Sequence, residues 1–258
     1  MSSTPYALPT TKEELLAIPA AHWQALLGGA AEILVEWLSA AAALDDCNAQ
    51  TLLGQMLLDG NGVAPDTVRA YACFAAASEQ QQLMAMNMRG RCLEHGWGTQ
   101  TDPVAAAHWY RSAAEAGLDW GMYNYANLLS RGRGVELNQE QALGWYRKAA
   151  EMGHAKSLNL VGRYYEEGIV VEASRNTAFK YYRESAIAGD FRGQYSYACM
   201  LAERGRIDEA TRWLEKIPAT ATGAFMNKIA NDLLLSAHAD FRAFAEKILA
   251  KEFACLRL

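Results

Sequence analysis

The chain has 258 residues, 51% of them apolar, a net charge of -5 and a pI near 5.6. That length suits a buried domain core or an elongated array, and the acidic balance argues against a nucleic-acid surface, which needs clustered Lys and Arg. No stretch approaches the ~18 to 20 consecutive apolar residues of a membrane span, and MSSTPYALPTTKEELL has neither the basic nor the apolar region of a leader, so a cytoplasmic protein without membrane contact is expected. Helix formers dominate, prolines number 6 and β-branched runs are scarce, which predicts an all-α chain.

In chain order, residues 1–29 are expected to form an N-terminal helical cap, with HWQALLGG as a diverged first helix. AAEILVEWLSAAAALDDCN, residues 30–48, matches only the second half of a unit that then recurs. HWYRSAAEAG from His108 returns as GWYRKAAEMG from Gly144, a shift of 36 residues that holds through most of the chain, as a repeat architecture requires. Gly54, Gly90, Ala126, Gly162 and Ala198 form one series, and Gly60, Gly96, Gly132 and Gly168 a second. Ala70, Ala106, Ala142 and Ala178 form a third, and Phe74, Tyr110, Tyr146 and Tyr182 a fourth. The fourth copy has Val170 where a second loop glycine is expected. The fifth, YSYACMLAERGRIDEATRWLEKI, lacks about four loop residues. Pro218 and ATATG follow, and helices near 224–236 and 239–253 are predicted to cap the array, giving boundaries at 30–217 for the repeats and 218–258 for the C-terminal cap.

Each series has a physical reading in an antiparallel helix pair. The Gly54 series is small because two close helices leave no room there. The Gly60 series ends the first helix in the left-handed conformation. Asp or Asn at the end of loops such as GNGVAPD, GWGTQTD and GRGVELN caps the second helix. The aromatics Tyr110, Trp145, Tyr146 and Tyr182 are expected to be buried between neighbouring pairs, and Gly117, Gly153 and Gly189 close the second helix.

The combination LGxxxxxGxGV, AxxWYRKAAExG and the period resembles the Sel-1-like repeat family, related to tetratricopeptide repeats, over roughly residues 30 to 215. The resemblance implies a right-handed superhelical α/α solenoid of helix-turn-helix repeats. It also implies an interaction scaffold, in bacteria an adaptor or a toxin-neutralising immunity protein. The resemblance also allows a hydrolase of cell-wall-related substrates, and a third reading is a self-assembling structural scaffold.

The residues offer little for catalysis. Cys47, Cys73, Cys92, Cys199 and Cys255 show no CxxC pair or disulfide spacing, and read as small buried hydrophobes in a reducing compartment. His22, His95, His108, His154 and His238 lack metal-ligand spacing, and GxSxG and GxxxxGK[ST] are absent. No cofactor, metal or catalytic residue is expected. Asp45-Asp46 and Glu166-Glu167 are adjacent helical acids that point about 100° apart.

The informative positions are those that change between copies. Carrying over the register in which tetratricopeptide first helices line a concave surface gives Met84, Asn87, Arg91, Glu94 and His95 in the second repeat. The third gives Trp120, Tyr123, Asn127, Ser130 and Arg131, the fourth Lys156, Asn159, Arg163, Glu166 and Glu167, and the fifth Arg192 and Tyr195. Asn can bond an extended peptide backbone, and Tyr, Trp and Arg are frequent hot-spot residues. The predicted partner is therefore a protein or peptide, acidic or presenting a free C-terminal carboxylate.

Overall fold

A computed structural model describes residues 6–255, with side chains described through residue 250. Among the described residues every regular element is helical. The order is α1 (Lys12–Leu16), α2 (Ala20–Leu27), α3 (Ala31–Ala43), α4 (Cys47–Asp59), α5 (Thr67–Glu79), α6 (Leu83–His95), α7 (Pro103–Glu115) and α8 (Asp119–Leu129). It continues with α9 (Gln139–Glu151), α10 (Ala155–Glu167), α11 (Arg175–Ile187), α12 (Phe191–Ala202), α13 (Ile207–Leu214), α14 (Gly223–Leu234) and α15 (Ala239–Cys255). A single 3-10 turn, Ile217–Ala219, follows α13. The chain forms two compact units, Met1–Asn138 and Gln139–Leu258.

In the first unit α4 packs on α5 and α6 on α7, and each pair also packs on its sequence neighbours. Closeness is enforced by the small series. A Cβ on Gly54 would lie 2.8 Å from the Phe74 ring, and one on Gly90 would lie 2.8 Å from the Tyr110 ring. The aromatic 20 residues downstream thus occupies the volume that the glycine vacates. At the start of the unit, Trp37, Leu38, Leu53, Leu57 and Phe74 form one buried cluster, with Trp23 packed against it. α2 packs on α3 and carries Trp23 to this cluster.

The second unit repeats this logic. α10 packs on α11 and α12 on α13, and a Cβ on Gly162 would lie 2.7 Å from the Tyr182 ring. Leu201, Leu214 and Ile217 share a core with Ile229 of α14 and Phe241, Phe244, Ala245 and Ile248 of α15. Tyr110, Tyr146 and Tyr182 are buried as expected, whereas Trp145 is only half-buried, with the Lys148 ammonium 4.2 Å from its ring centre.

The helix ends follow the repeat. Asp66, Asp102 and Ser174 cap the second helices by accepting from the backbone N–H groups of Arg69, Ala105 and Thr177, satisfying donors that a helix leaves unpaired. A second cap series, not apparent in the sequence, starts the first helices: Asp46, Gln82, His154 and Asp190 accept from Ala49, Ala85, Ser157 and Gly193. Gly60, Gly96 and Gly168 end α4, α6 and α10 in the left-handed region. The thiols are less uniform than the expected buried hydrophobes: Cys92 is buried, and Cys47, Cys73 and Cys199 are half-buried. The Cys255 side chain lies outside the described residues.

Candidate interaction surface

The variable positions of the first helices divide into anchored and presented side chains. In the first unit, Asn87 is only 3% exposed, and its Oδ1 accepts from Asn124 Nδ2 at 2.8 Å, tying α6 to α8. Glu94 accepts from the Tyr110 hydroxyl at 2.9 Å and from Arg133 Nη1 at 3.1 Å, and its backbone oxygen accepts from Arg133 Nη2 at 2.9 Å. It therefore satisfies a buried hydroxyl and pins a loop. Burial, then the Glu94 carboxylate, pushes the Tyr110 hydroxyl far above its ordinary range, which keeps it a neutral donor.

Around these anchors stand side chains that reach the surface, half-buried at Arg91 and Trp97 and exposed at His95. Arg91 lies with its guanidinium 5.0 Å from the Trp97 ring centre, and the His95 ring lies 4.9 Å from the same indole. Arg91, Met88 and Trp97, together with Gln55, Asp59 and Thr67, border a pocket of about 240 Å³. Trp120 meets Tyr123 edge-on at 6.1 Å, with Trp120 exposed and Tyr123 half-buried. Met84 and Arg131 are exposed, and Asn127 and Ser130 half-buried. Trp97 and Arg133 escaped the sequence reading because they lie in loops. Their signal was the same kind of variation: one loop position reads Asn61, Trp97, Arg133 and Ile169 in successive copies.

The second unit shows the same division. Asn159 is buried, and its Oδ1 lies 3.5 Å from the donating Ser196 Oγ, tying α10 to α12. Glu166 accepts from the Tyr182 hydroxyl at 2.6 Å, so two of the three glutamates at the variable positions, Glu94 and Glu166, serve buried tyrosines. Arg163 is exposed, 3.8 Å from Glu167, and Lys156 is half-buried. Arg192 extends over Phe191 at 4.5 Å and Phe225 at 5.7 Å, and Tyr195 meets Phe225 edge-on at 6.0 Å. Phe225 belongs to α14, so the C-terminal helices contribute to this surface as well as closing the core. Burial pushes the Cys199 thiol, one turn along α12, up to about 11.

Of the predicted histidines, His154 is the buried cap of α10, with Nδ1 2.9 Å from Ser157 Oγ. His108 is exposed beside Trp109. Among the described residues no three His, Cys, Asp or Glu side chains gather in a way that could hold a metal ion, and no helix is long and apolar enough to cross a membrane. The surface is one of aromatic and cationic groups on rigid helices, suited to stacking and charge-assisted hydrogen bonding.

Comparison with known proteins places this architecture. The Sel1 repeat profile matches residues 47–81, 83–118, 121–154 and 155–190. The fold is similar to that of a Sel1 repeat protein from Oxalobacter formigenes, with a TM-score of 0.75 and 22% identity over 90% of this chain and 100% of that one. It is similar to c5321, described as a protective antigen of uropathogenic Escherichia coli displaying an SLR fold, with a TM-score of 0.65 and 24% identity over 85% of this chain and 48% of that one. The immunity protein Pa5087 from Pseudomonas aeruginosa matches with a TM-score of 0.56 and 16% identity over 81% of this chain and 80% of that one. No curated protein matches the sequence. The four matched stretches take up more than half of the chain and coincide with the helix pairs and their 36-residue period, and the chain belongs to the Sel1 repeat family, an all-α solenoid of helix-turn-helix repeats.

Proposed function

We propose that the protein is a non-enzymatic interaction module that holds a protein or peptide against its first helices, and that it serves as a bacterial toxin-neutralising immunity protein or adaptor. The observation that carries this reading is the division of labour within the repeat. Positions that recur between copies are buried in helix contacts, and positions that vary present Arg91, Trp120, Tyr123 and Arg131 in the first unit and Arg163, Arg192 and Tyr195 in the second. Such side chains dominate binding hot spots. Asn127 stands beside these groups in the first unit and Lys156 in the second, and Asn87 and Asn159 tie the helices of their own units together. The cations favour a ligand with carboxylates, in acidic side chains or at a C-terminus. The fold likeness to an immunity protein supports the neutralising version.

The test is affinity purification from the native cell followed by calorimetric titration of the partner. One stoichiometric partner with toxic activity supports neutralisation, and several partners support an adaptor. Tyr123→Ala/Arg131→Ala is expected to weaken binding by about 1 to 2 kcal/mol if the pair includes a hot spot. Full affinity in that variant and in Arg163→Ala/Arg192→Ala would move the interface off the first helices.

A further inference from the structure

The fifth copy joins its two helices through residues 203–206, where residues 168–174 do so in the copy before. In the first unit the longer loops have a second task. The second loop glycine descends on the first turn of the preceding second helix, so that a Cβ on Gly98 would lie 2.0 Å from the Thr67 carbonyl oxygen and one on Gly134 2.0 Å from that of Pro103. Residues 203–206 are too short to repeat this cover. Here side chains reach across the first turn of α11: Glu203 pairs with Arg175, Arg204 Nη2 lies 3.5 Å from Asn176 Oδ1, and the Arg204 guanidinium lies 4.1 Å above the Phe179 ring.

The missing loop leaves an open cleft of about 850 Å³ between α11, α12 and the start of α13. Its apolar side is the Phe179 ring, 5.0 Å from that of Tyr197. Four cations border it, with different commitments. Arg204 is held by the Phe179 ring and the Met200 carbonyl, and Arg206 pairs with Glu209. Lys180 and Arg183 are exposed and stand on one face of α11 at i, i+3 spacing. Arg183 and Tyr197 line the cleft together, which places the guanidinium on the aromatic side. Two exposed cations at the edge of an aromatic surface match a carboxylate next to an apolar side chain.

We propose that this cleft docks an acidic segment of a partner protein, with carboxylates on Lys180 and Arg183 and an apolar side chain against Phe179. The site centres on α11, a second helix, and shares no residue with the first-helix recognition positions, so it is a second contact point. Glu184 and Glu209 border the same cleft, and they penalise a phosphate dianion more than a single carboxylate.

The test uses the full chain and a fluorescein-labelled amidated peptide, DDFDD, followed by anisotropy at low salt. Saturable binding with a Kd below about 1 mM is expected, weakening at least about tenfold in Lys180→Gln/Arg183→Gln and on raising the salt severalfold. The peptide NNFNN is expected not to bind. The two cations are exposed, so the variant is expected to melt with the wild type, and Lys180→Glu alone provides an independent charge reversal. No saturation with the wild type, equal affinity in both variants, or equal affinity for NNFNN would overturn the proposal. Displacement of DDFDD by equimolar inorganic phosphate would also overturn it, because the site would then be a phosphate site. The first-helix variants leave this titration unchanged, so the two readings fail separately.

Discussion

A buried tyrosine hydroxyl must find a hydrogen-bond partner, and the repeat solves this locally. Tyr110 and Tyr182 each donate to a glutamate 16 residues upstream, Glu94 and Glu166. Where the equivalent aromatic is Phe74, the upstream residue is Leu58. The chain thus carries both solutions, polar with polar and apolar with apolar. Glu166→Leu alone is expected to cost about 1 to 3 kcal/mol by stranding the hydroxyl, and adding Tyr182→Phe is expected to restore much of that loss. Additive losses in chemical denaturation of the two single variants and the double would refute the pairing. Burial also shapes the response to alkali. The Cys92 and Cys199 thiols are pushed up to about 11 by burial, above an unfolded value of about 8.5. Their contribution is full below about pH 8.5 and is lost as pH rises toward 11. Tyr110 and Tyr182, shifted upward by burial in the same sense, extend the loss to higher pH. The melting temperature is expected to hold level through neutrality and fall above about pH 9. A constant value up to pH 11 would contradict this.

At the scale of the helix pair, the loop decides how closely neighbours stack. Gly98 and Gly134 are left-handed and lie against the backbone of the preceding helix, so both conformation and space demand glycine there. Val170 takes the equivalent place after α10 with φ of 51°, a conformation that is unfavourable for a β-branched residue. Val170→Gly is therefore expected to stabilise the protein by up to about 1 kcal/mol, the relief of the left-handed penalty less the entropy of a new glycine. A lower denaturation midpoint in the variant would show that the half-exposed valine side chain contributes more by packing than its backbone loses. The turn that closes the second helix shows the same tolerance. Asp45 and Gln81 adopt positive φ where later copies have Gly117, Gly153 and Gly189.

For the whole chain, the ends matter more than their departure from the repeat motif implies. Ile217 and Leu214 are fully buried, and α14 and α15 supply much of what covers them. Deleting residues 219–258 is expected to expose that core and to lower both the melting temperature and the solubility, since a repeat array needs a closed terminal face. An equally stable and soluble truncation would make these helices an appendage. The same deletion removes Phe225 from beside Arg192 and Tyr195, so a partner bound by the second unit is expected to lose affinity along with stability.

The sequence by itself determined the helix-pair repeat, its period, the glycine stops, the caps of the second helices and the burial of Tyr110, Tyr146 and Tyr182. Each of these is a local or periodic constraint that recurs and is therefore visible without contacts. Tertiary structure alone decided which variable positions are surface. Asn87, Glu94, Asn159 and Glu166 look like recognition residues along the chain, but their partners Asn124, Tyr110, Ser196 and Tyr182 lie 16 to 37 residues away. Only packing shows that their polar groups are already engaged. The same holds for the cleft beside Phe179. The short fifth loop is legible as a deletion, but the volume that it vacates, and the two cations left standing over that volume, exist only once α11 and α13 are packed against α12.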